Sequence, residues 1–301
     1  MITEIARPLP HGITLTCRVA GEPGRPVLLF MHGFPEAAFI WDELLEHFAR
    51  PENGGYRCVA PFLRGFGPSD SPAEAEAYRA KHLVQDIAAL IAIESPGAPL
   101  AALVAHDWGG AVAWSVANQH PALMQRLCII NSPHAGAFLR ELQKNPAQQA
   151  ASRYMHFLCR PDAEALLAAD DFKRMFAMFN DPQGQPPAWM TAEERAKYHA
   201  VWAKGLKGGC NYYRASPMRP PLSADDPVNQ LQFPREMLMV HVPTLVMWGM
   251  ADPALLPALL DGLPDWVPDL RVVPIEGASH WVVQEQPQRV TRELAQFLLS
   301  K

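Results

Sequence analysis

The residues with the sharpest chemical meaning lie in Leu103-Val104-Ala105-His106-Asp107-Trp108-Gly109-Gly110. An apolar run stops at His106 and a small-residue helical pattern opens at Gly109. Strand, one-residue elbow and helix form the setting in which a nucleophile is held on a sharp turn above a parallel sheet. Such an elbow needs small residues two before and two after its apex, because its backbone is strained and crowded. Ala105 and Gly109 fill those positions, and the apex residue is Asp107 rather than a serine. A carboxylate nucleophile shifts the chemistry from acyl transfer to displacement at a saturated carbon, leaving an ester on the enzyme.

That ester must then be hydrolysed, which calls for a general base oriented by a second carboxylate. Asp252 follows Trp248-Gly249-Met250-Ala251, and His280 sits in Gly277-Ala278-Ser279-His280-Trp281, each just past an apolar run. With eleven histidines in the chain, His280 alone means little. The ordered set of nucleophile, acid and histidine on three strand ends carries the inference. The developing oxyanion needs backbone N–H donors, one after the nucleophile and one from the loop after an earlier strand. Trp108 and Phe34, the latter in His32-Gly33-Phe34-Pro35, occupy those positions. His32 and His106 read as structural residues of their loops.

These side chains need a scaffold. Val27 to Met31, Tyr56 to Phe62, Leu100 to Ala105, Leu127 to Asn131, Thr244 to Trp248 and Leu270 to Ile275 read as strands, several of them apolar throughout as in a doubly covered sheet. Ile13 to Val19 reads as an edge strand, and Leu63 to Asp70 as a glycine-rich surface loop. Helical patterns follow Pro35, run from Lys81 to Glu94 and from Gly109 to about Asn118, and close the chain at Gln288 to Leu299. Between Ala135 and Pro234 the alternation breaks. Helices are expected at Asp162 to Asn180 and Thr191 to Lys204, separated by proline loops. The fold class is therefore α/β: a mostly parallel sheet with helices on both faces and an inserted helical cap. The core comprises residues 1–134 and 235–301, and the cap residues 135–234.

Composition excludes other classes. Net charge is −5, with 49% hydrophobic and 19% charged residues, a globular balance without the basic footprint of nucleic-acid binding. Apolar runs are far shorter than the ~20 residues of a membrane span. The opening Met1-Ile2-Thr3-Glu4-Ile5 has neither a basic start nor a long apolar segment, so no secretory signal is expected. Five scattered cysteines without a C-x-x-C point to reduced thiols of a cytoplasmic protein. A monomer or homodimer is expected. No metal site is expected.

Together, His32-Gly33-Phe34-Pro35-Glu36, the His106-Asp107-Trp108-Gly109-Gly110 elbow, Asp252 and His280 resemble an α/β-hydrolase-fold epoxide hydrolase, with the insertion corresponding to that family's cap. The resemblance implies two cap tyrosines that donate to the ring oxygen. Tyr213, in Asn211-Tyr212-Tyr213-Arg214, matches one, and Tyr154, in Tyr154-Met155-His156-Phe157-Leu158, matches the other. A phenol with a reference pKa of about 10 suits that donation at neutral pH. Tyr212 reads as the packing neighbour. Phe34, Trp108, Tyr154, Met155 and Tyr213 would line the pocket of a small apolar epoxide, and Met175, Phe176, Met178 and Phe179 suggest an adaptable apolar cap. The resemblance implies no cofactor.

Two alternatives stand beside this reading. Dehalogenases share the carboxylate nucleophile. The haloacetate type places arginines one and four residues after it, where this chain has Trp108 and Ala111. The haloalkane type resembles this chain in the Trp after the nucleophile but adds an Asn or a second Trp; Phe34 occupies the loop position, and Trp189 and Trp202 have no evident match. A non-catalytic binder would have no need of nucleophile, acid and base together.

Overall fold

The computed structural model describes residues 1–300. Eight strands form one sheet: β1 (Thr3–Pro8), β2 (Thr14–Ala20), β3 (Val27–Met31), β4 (Arg57–Pro61), β5 (Ala102–His106), β6 (Leu127–Ile130), β7 (Thr244–Gly249) and β8 (Leu270–Ile275). Their spatial order is β1-β2-β4-β3-β5-β6-β7-β8. From β4 to β8 every pairing is parallel, whereas β2 runs antiparallel to both β1 and β4. All residues of β3, β5, β6 and β7 are buried, which is why these strands read as unbroken apolar runs.

Two sequence expectations are corrected at the sheet's margin. The Ile13 to Val19 strand is not an edge: β1 pairs outside it, with Thr3 opposite Val19. β1 carries little strand signal because its sequence, TEIARP, is largely exposed and polar and ends in proline. The Leu63 to Asp70 loop is not a surface loop either. Leu63, Arg64, Gly65 and Phe66 are buried, because a cap helix lies across them.

The core helices are α1 (Asp42–Ala49), α2 (Ala80–Glu94), α3 (Asp107–Gln119), α10 (Val282–Glu285) and α11 (Pro287–Leu299). Between β6 and β7 the described residues contain no strand. They form α4 (Ala135–Lys144), α5 (Pro146–Ala151), α6 (Tyr154–Leu158), α7 (Ala163–Ala177), α8 (Ala192–Trp202) and α9 (Lys207–Ala215). The hydroxyl of Thr191 accepts from the N–H of Glu194 at 3.2 Å and caps α8. The expected single helix over Asp162 to Asn180 is interrupted: Asp170, Asp171 and Phe172 have φ of 51°, 55° and 60°, a left-handed turn that splits α7. Phe172 thereby reaches His199 and Trp202 of α8, with ring centroids at 5.1 and 5.7 Å. Met175, Phe176 and Phe179 are buried in the same cluster, so they pack the cap.

Candidate active site

Every candidate catalytic side chain of the core sits just past the carboxyl end of a parallel strand. Phe34 follows β3, Asp107 follows β5, Asp252 follows β7 and His280 follows β8. The chain passes from β3 to β4 on one side and then to β5 on the other. The crevice between the loops after β3 and β5 is thus where strand order reverses, the usual ligand site of open α/β sheets.

Asp107 occupies the elbow with φ of 49°, a left-handed conformation costly for a side-chain-bearing residue and held here by its surroundings. The hydroxyl of Ser132 donates to the Asp107 carbonyl at 2.6 Å. A Cβ on Gly109 would lie 2.5 Å from the His32 carbonyl oxygen, and one on Gly33 would lie 2.1 Å from Asp107 Oδ1. The small residues are therefore required by close approach. The N–H of Phe34 donates to Asp107 Oδ1 at 2.8 Å. Trp108 contributes one of the free N–H groups of the first turn of α3 and makes no hydrogen bond to the carboxylate.

The other carboxylate oxygen, Oδ2, faces His280 Nε2 at 3.7 Å. On the far side of the ring, His280 Nδ1–H donates to Asp252 Oδ2 at 2.7 Å. Asp252 Oδ1 accepts from the N–H groups of Ala254 and Leu255 at 2.8 and 2.9 Å. Burial alone would raise the Asp252 carboxyl, but His280 and these donors hold it below its usual value. Burial would lower His280; the facing charges of Asp252, Asp107 and Glu36 outweigh it and lift its pKa from 6.5 to about 9.

The cap presents the two tyrosines above the elbow. Tyr213, on α9, is buried, with its ring edge-on to Trp108 at 5.1 Å and to Phe34 at 5.6 Å. Tyr154, at the start of α6, is 6.0 Å from Tyr213 between ring centroids. Burial, with the charge of Asp107 adding to it, raises both phenols above their ordinary range, so both stay protonated at neutral pH. Tyr154 is 38% exposed as a residue. Met155 is buried beside it. Tyr212 packs as expected, its hydroxyl donating to the Arg64 carbonyl at 3.0 Å.

A model of the alpha/beta hydrolase fold matches residues 26–287. Epoxide hydrolase 4 of Mus musculus is 32% identical over 286 residues, covering 93% of this chain and 74% of that relative. Epoxide hydrolase A of Mycobacterium tuberculosis is 31% identical over 323 residues, covering 96% and 95%. The crystal structure of a Bacillus megaterium epoxide hydrolase in complex with an inhibitor superposes with a TM-score of 0.88 at 30% identity, covering 98% of this chain and 100% of that one. The chain belongs to the α/β-hydrolase-fold epoxide hydrolase family.

In this family member, sequence reasoning misses Asn131. Asn131, just past β6, donates to Asp252 Oδ2 at 2.8 Å and accepts from the Gly249 N–H at 2.7 Å. Its φ of 36° is another left-handed non-glycine position. Its signal was available: a polar residue at a strand's carboxyl end, like Asp107 itself. His32 is structural. Its Nδ1–H donates to the Gly33 carbonyl at 2.9 Å, and its Nε2 accepts from the Leu63 N–H at 3.1 Å. Burial lowers its pKa to about 4, so it is neutral. Glu36, fully buried, lies 2.9 Å from His106 Nδ1.

Proposed function

We propose that this chain hydrolyses small apolar epoxides to vicinal diols through an ester on Asp107. Its cap, residues 135–234, supplies the acid. The observation that carries this reading is the unequal setting of the two Asp107 oxygens, combined with two protonated phenols above them. Oδ1 is held by the Phe34 N–H, leaving Oδ2 as the attacking atom. Oδ2 bonds to an oxirane carbon while the C–O bond breaks and its electron pair moves to the ring oxygen. Tyr154 and Tyr213 hydrogen-bond that oxygen, and one of them gives it a proton. The product is a β-hydroxy ester of Asp107.

Esterification removes the charge that faces His280, and with it one of the causes of that residue's raised pKa. The His280 proton passes to the phenolate left by ring opening, and the neutral imidazole is then the base. It takes a proton from water as the water oxygen attacks the Asp107 carboxyl carbon. The tetrahedral oxyanion falls on the oxygen held by Phe34, with Trp108 as a second donor, and collapse expels the diol. The carboxyl proton left on Asp107 goes to the departing alkoxide, and His280 ends protonated as it began, so one epoxide and one water become one diol. Asp252 keeps the ring oriented throughout, and Asn131 keeps Asp252 oriented.

The residues named suffice for each step without a cofactor. No described helix is long and apolar enough to cross a membrane, and the reading retains a cytoplasmic protein, monomeric or homodimeric. Replacing His280 with Gln is expected to trap the intermediate. After incubation with an aryl glycidyl ether, the peptide containing Asp107 gains the mass of the epoxide. An active protein with no adduct on that peptide would overturn the mechanism. Halide release from a matched haloalkane without diol formation from the epoxide would overturn the substrate class.

A further inference from the structure

Behind His280 lies a buried polar network that the mechanism above does not use. Glu36 and His106 have no solvent exposure. The carboxylate oxygen Oε2 of Glu36 lies 2.9 Å from His106 Nδ1, out of hydrogen-bond alignment, and neither atom has another hydrogen-bond partner. A buried carboxylate needs a cationic or donor partner. Glu36, which burial alone would raise, is held below its ordinary value by His106 and Gln284. On its other side, His106 Nε2–H donates to the backbone carbonyl of His280 at 2.9 Å, and the two imidazole rings lie 4.7 Å apart.

The other Glu36 oxygen, Oε1, faces two further donors. Gln284 Nε2, on α10, donates to it and also to the Tyr198 hydroxyl, at 3.2 Å. Tyr198, on cap helix α8, lies with its hydroxyl 3.5 Å from the same carboxylate oxygen. The neighbouring cap residue Trp202 donates through Nε1 to the Pro35 carbonyl at 2.7 Å. A cap helix thus grips the loop after β3 at Pro35 and at Glu36. The amide of Gln284 has one workable orientation, because its flip would set an oxygen against the carboxylate. That leaves its Oε1 buried without a protein partner. Gln284 also lines a cleft of about 310 Å³ at the cap–core seam, shared with Trp189, Thr191 and Lys197.

The geometry points to Gln284 and Tyr198 as positioning residues for His280, acting through Glu36 and His106, so that seating of the cap fixes the base against the nucleophile. The chain of contacts runs from α8 to the loop after β3, to the residue preceding Asp107, and to the backbone of His280. It joins the cap to both catalytic loops without touching substrate. Ester hydrolysis, which needs His280 aligned on a water, depends on this chain. Ester formation, which needs Asp107 and the cap phenols, depends on it less. This division rests on the function proposed above.

Tyr198→Phe and Gln284→Leu test it; the first removes one hydroxyl and preserves the packing of the ring. In single turnovers with an aryl glycidyl ether, quenched and read by intact mass, both variants should form the Asp107 ester within about threefold of the parent rate. They should hydrolyse it roughly tenfold more slowly, the scale of a modest misplacement of a catalytic group. Tyr198→Phe with unchanged hydrolysis, or with both steps slowed by one common factor, overturns the proposal. A second measurement needs no turnover. The His280 ring resonances, followed in protein with 15N-labelled histidine, should move in both variants; unchanged resonances overturn the proposal on their own. A parent protein that forms no ester refutes the proposed function instead, and the resonance test still decides the positioning role.

Discussion

At the scale of single residues, the site rests on one ring held between two carboxylates. His280 is lifted to about 9 chiefly by Asp252 once the opposing effect of burial is overcome. Replacing Asp252 with Asn should therefore lower the His280 pKa, read directly by NMR titration; a value still near 9 would show that Asp252 is not the cause. The shift also ties stability to pH. Because the folded protein binds the His280 proton more tightly than the unfolded chain, the stabilisation is complete below 6.5 and is lost as pH rises through about 9. Urea midpoints should fall across that window in the parent protein, and the fall should flatten in Asp252→Asn.

At the scale of elements, the critical contact is α9 against the loop after β4. A Cβ on Gly208 would lie 2.3 Å from both the Cα and the carbonyl oxygen of Gly65. Gly208→Ala must therefore lift α9, and Tyr213 rides on that helix. We expect kcat/KM to drop by about 10- to 100-fold, since displacements near 1 Å cost that much. Tyr212→Phe, which removes only the hydrogen bond to Arg64, should cost about 1 kcal/mol in denaturant unfolding and little activity. Equal losses of activity in the two variants would argue against α9 as the element that places Tyr213. The same contact explains what the sequence concealed. Gly65, Gly67, Pro68, Ser69 and Asp70 have the composition of a solvent loop. Nothing local in Leu63 to Asp70 announces that a helix more than a hundred residues downstream covers it. Strands β3, β5 and β7, by contrast, were legible because burial on both faces leaves a continuous apolar run. Asp107, Asp252 and His280 were legible because each lies in the short stretch just past the carboxyl end of a strand. Asn131, Tyr198 and Gln284 were not, since neutral polar side chains carry no motif and their partners come from distant strands and from the cap.

At the scale of the molecule, rigidity is distributed unevenly. The central strands are fully buried, so their amides should exchange with solvent only on global unfolding. The break in α7 at Ala169, Asp170, Asp171 and Phe172 should exchange far sooner, and protection there equal to that of β5 would contradict it. The proposed acid pair, Tyr154 and Tyr213, spans this gradient. Tyr213 is wedged between Phe34 and Trp108, while Tyr154 stands 38% exposed at the outer side of the cap. One phenol is a fixed post and the other a doorpost. For laboratory evolution of substrate range, libraries centred on α6 around Tyr154 should yield many active clones of altered selectivity. Libraries around Tyr213 should yield few, because its ring packs on Phe34 and Trp108, the two residues that flank Asp107 in space and in sequence.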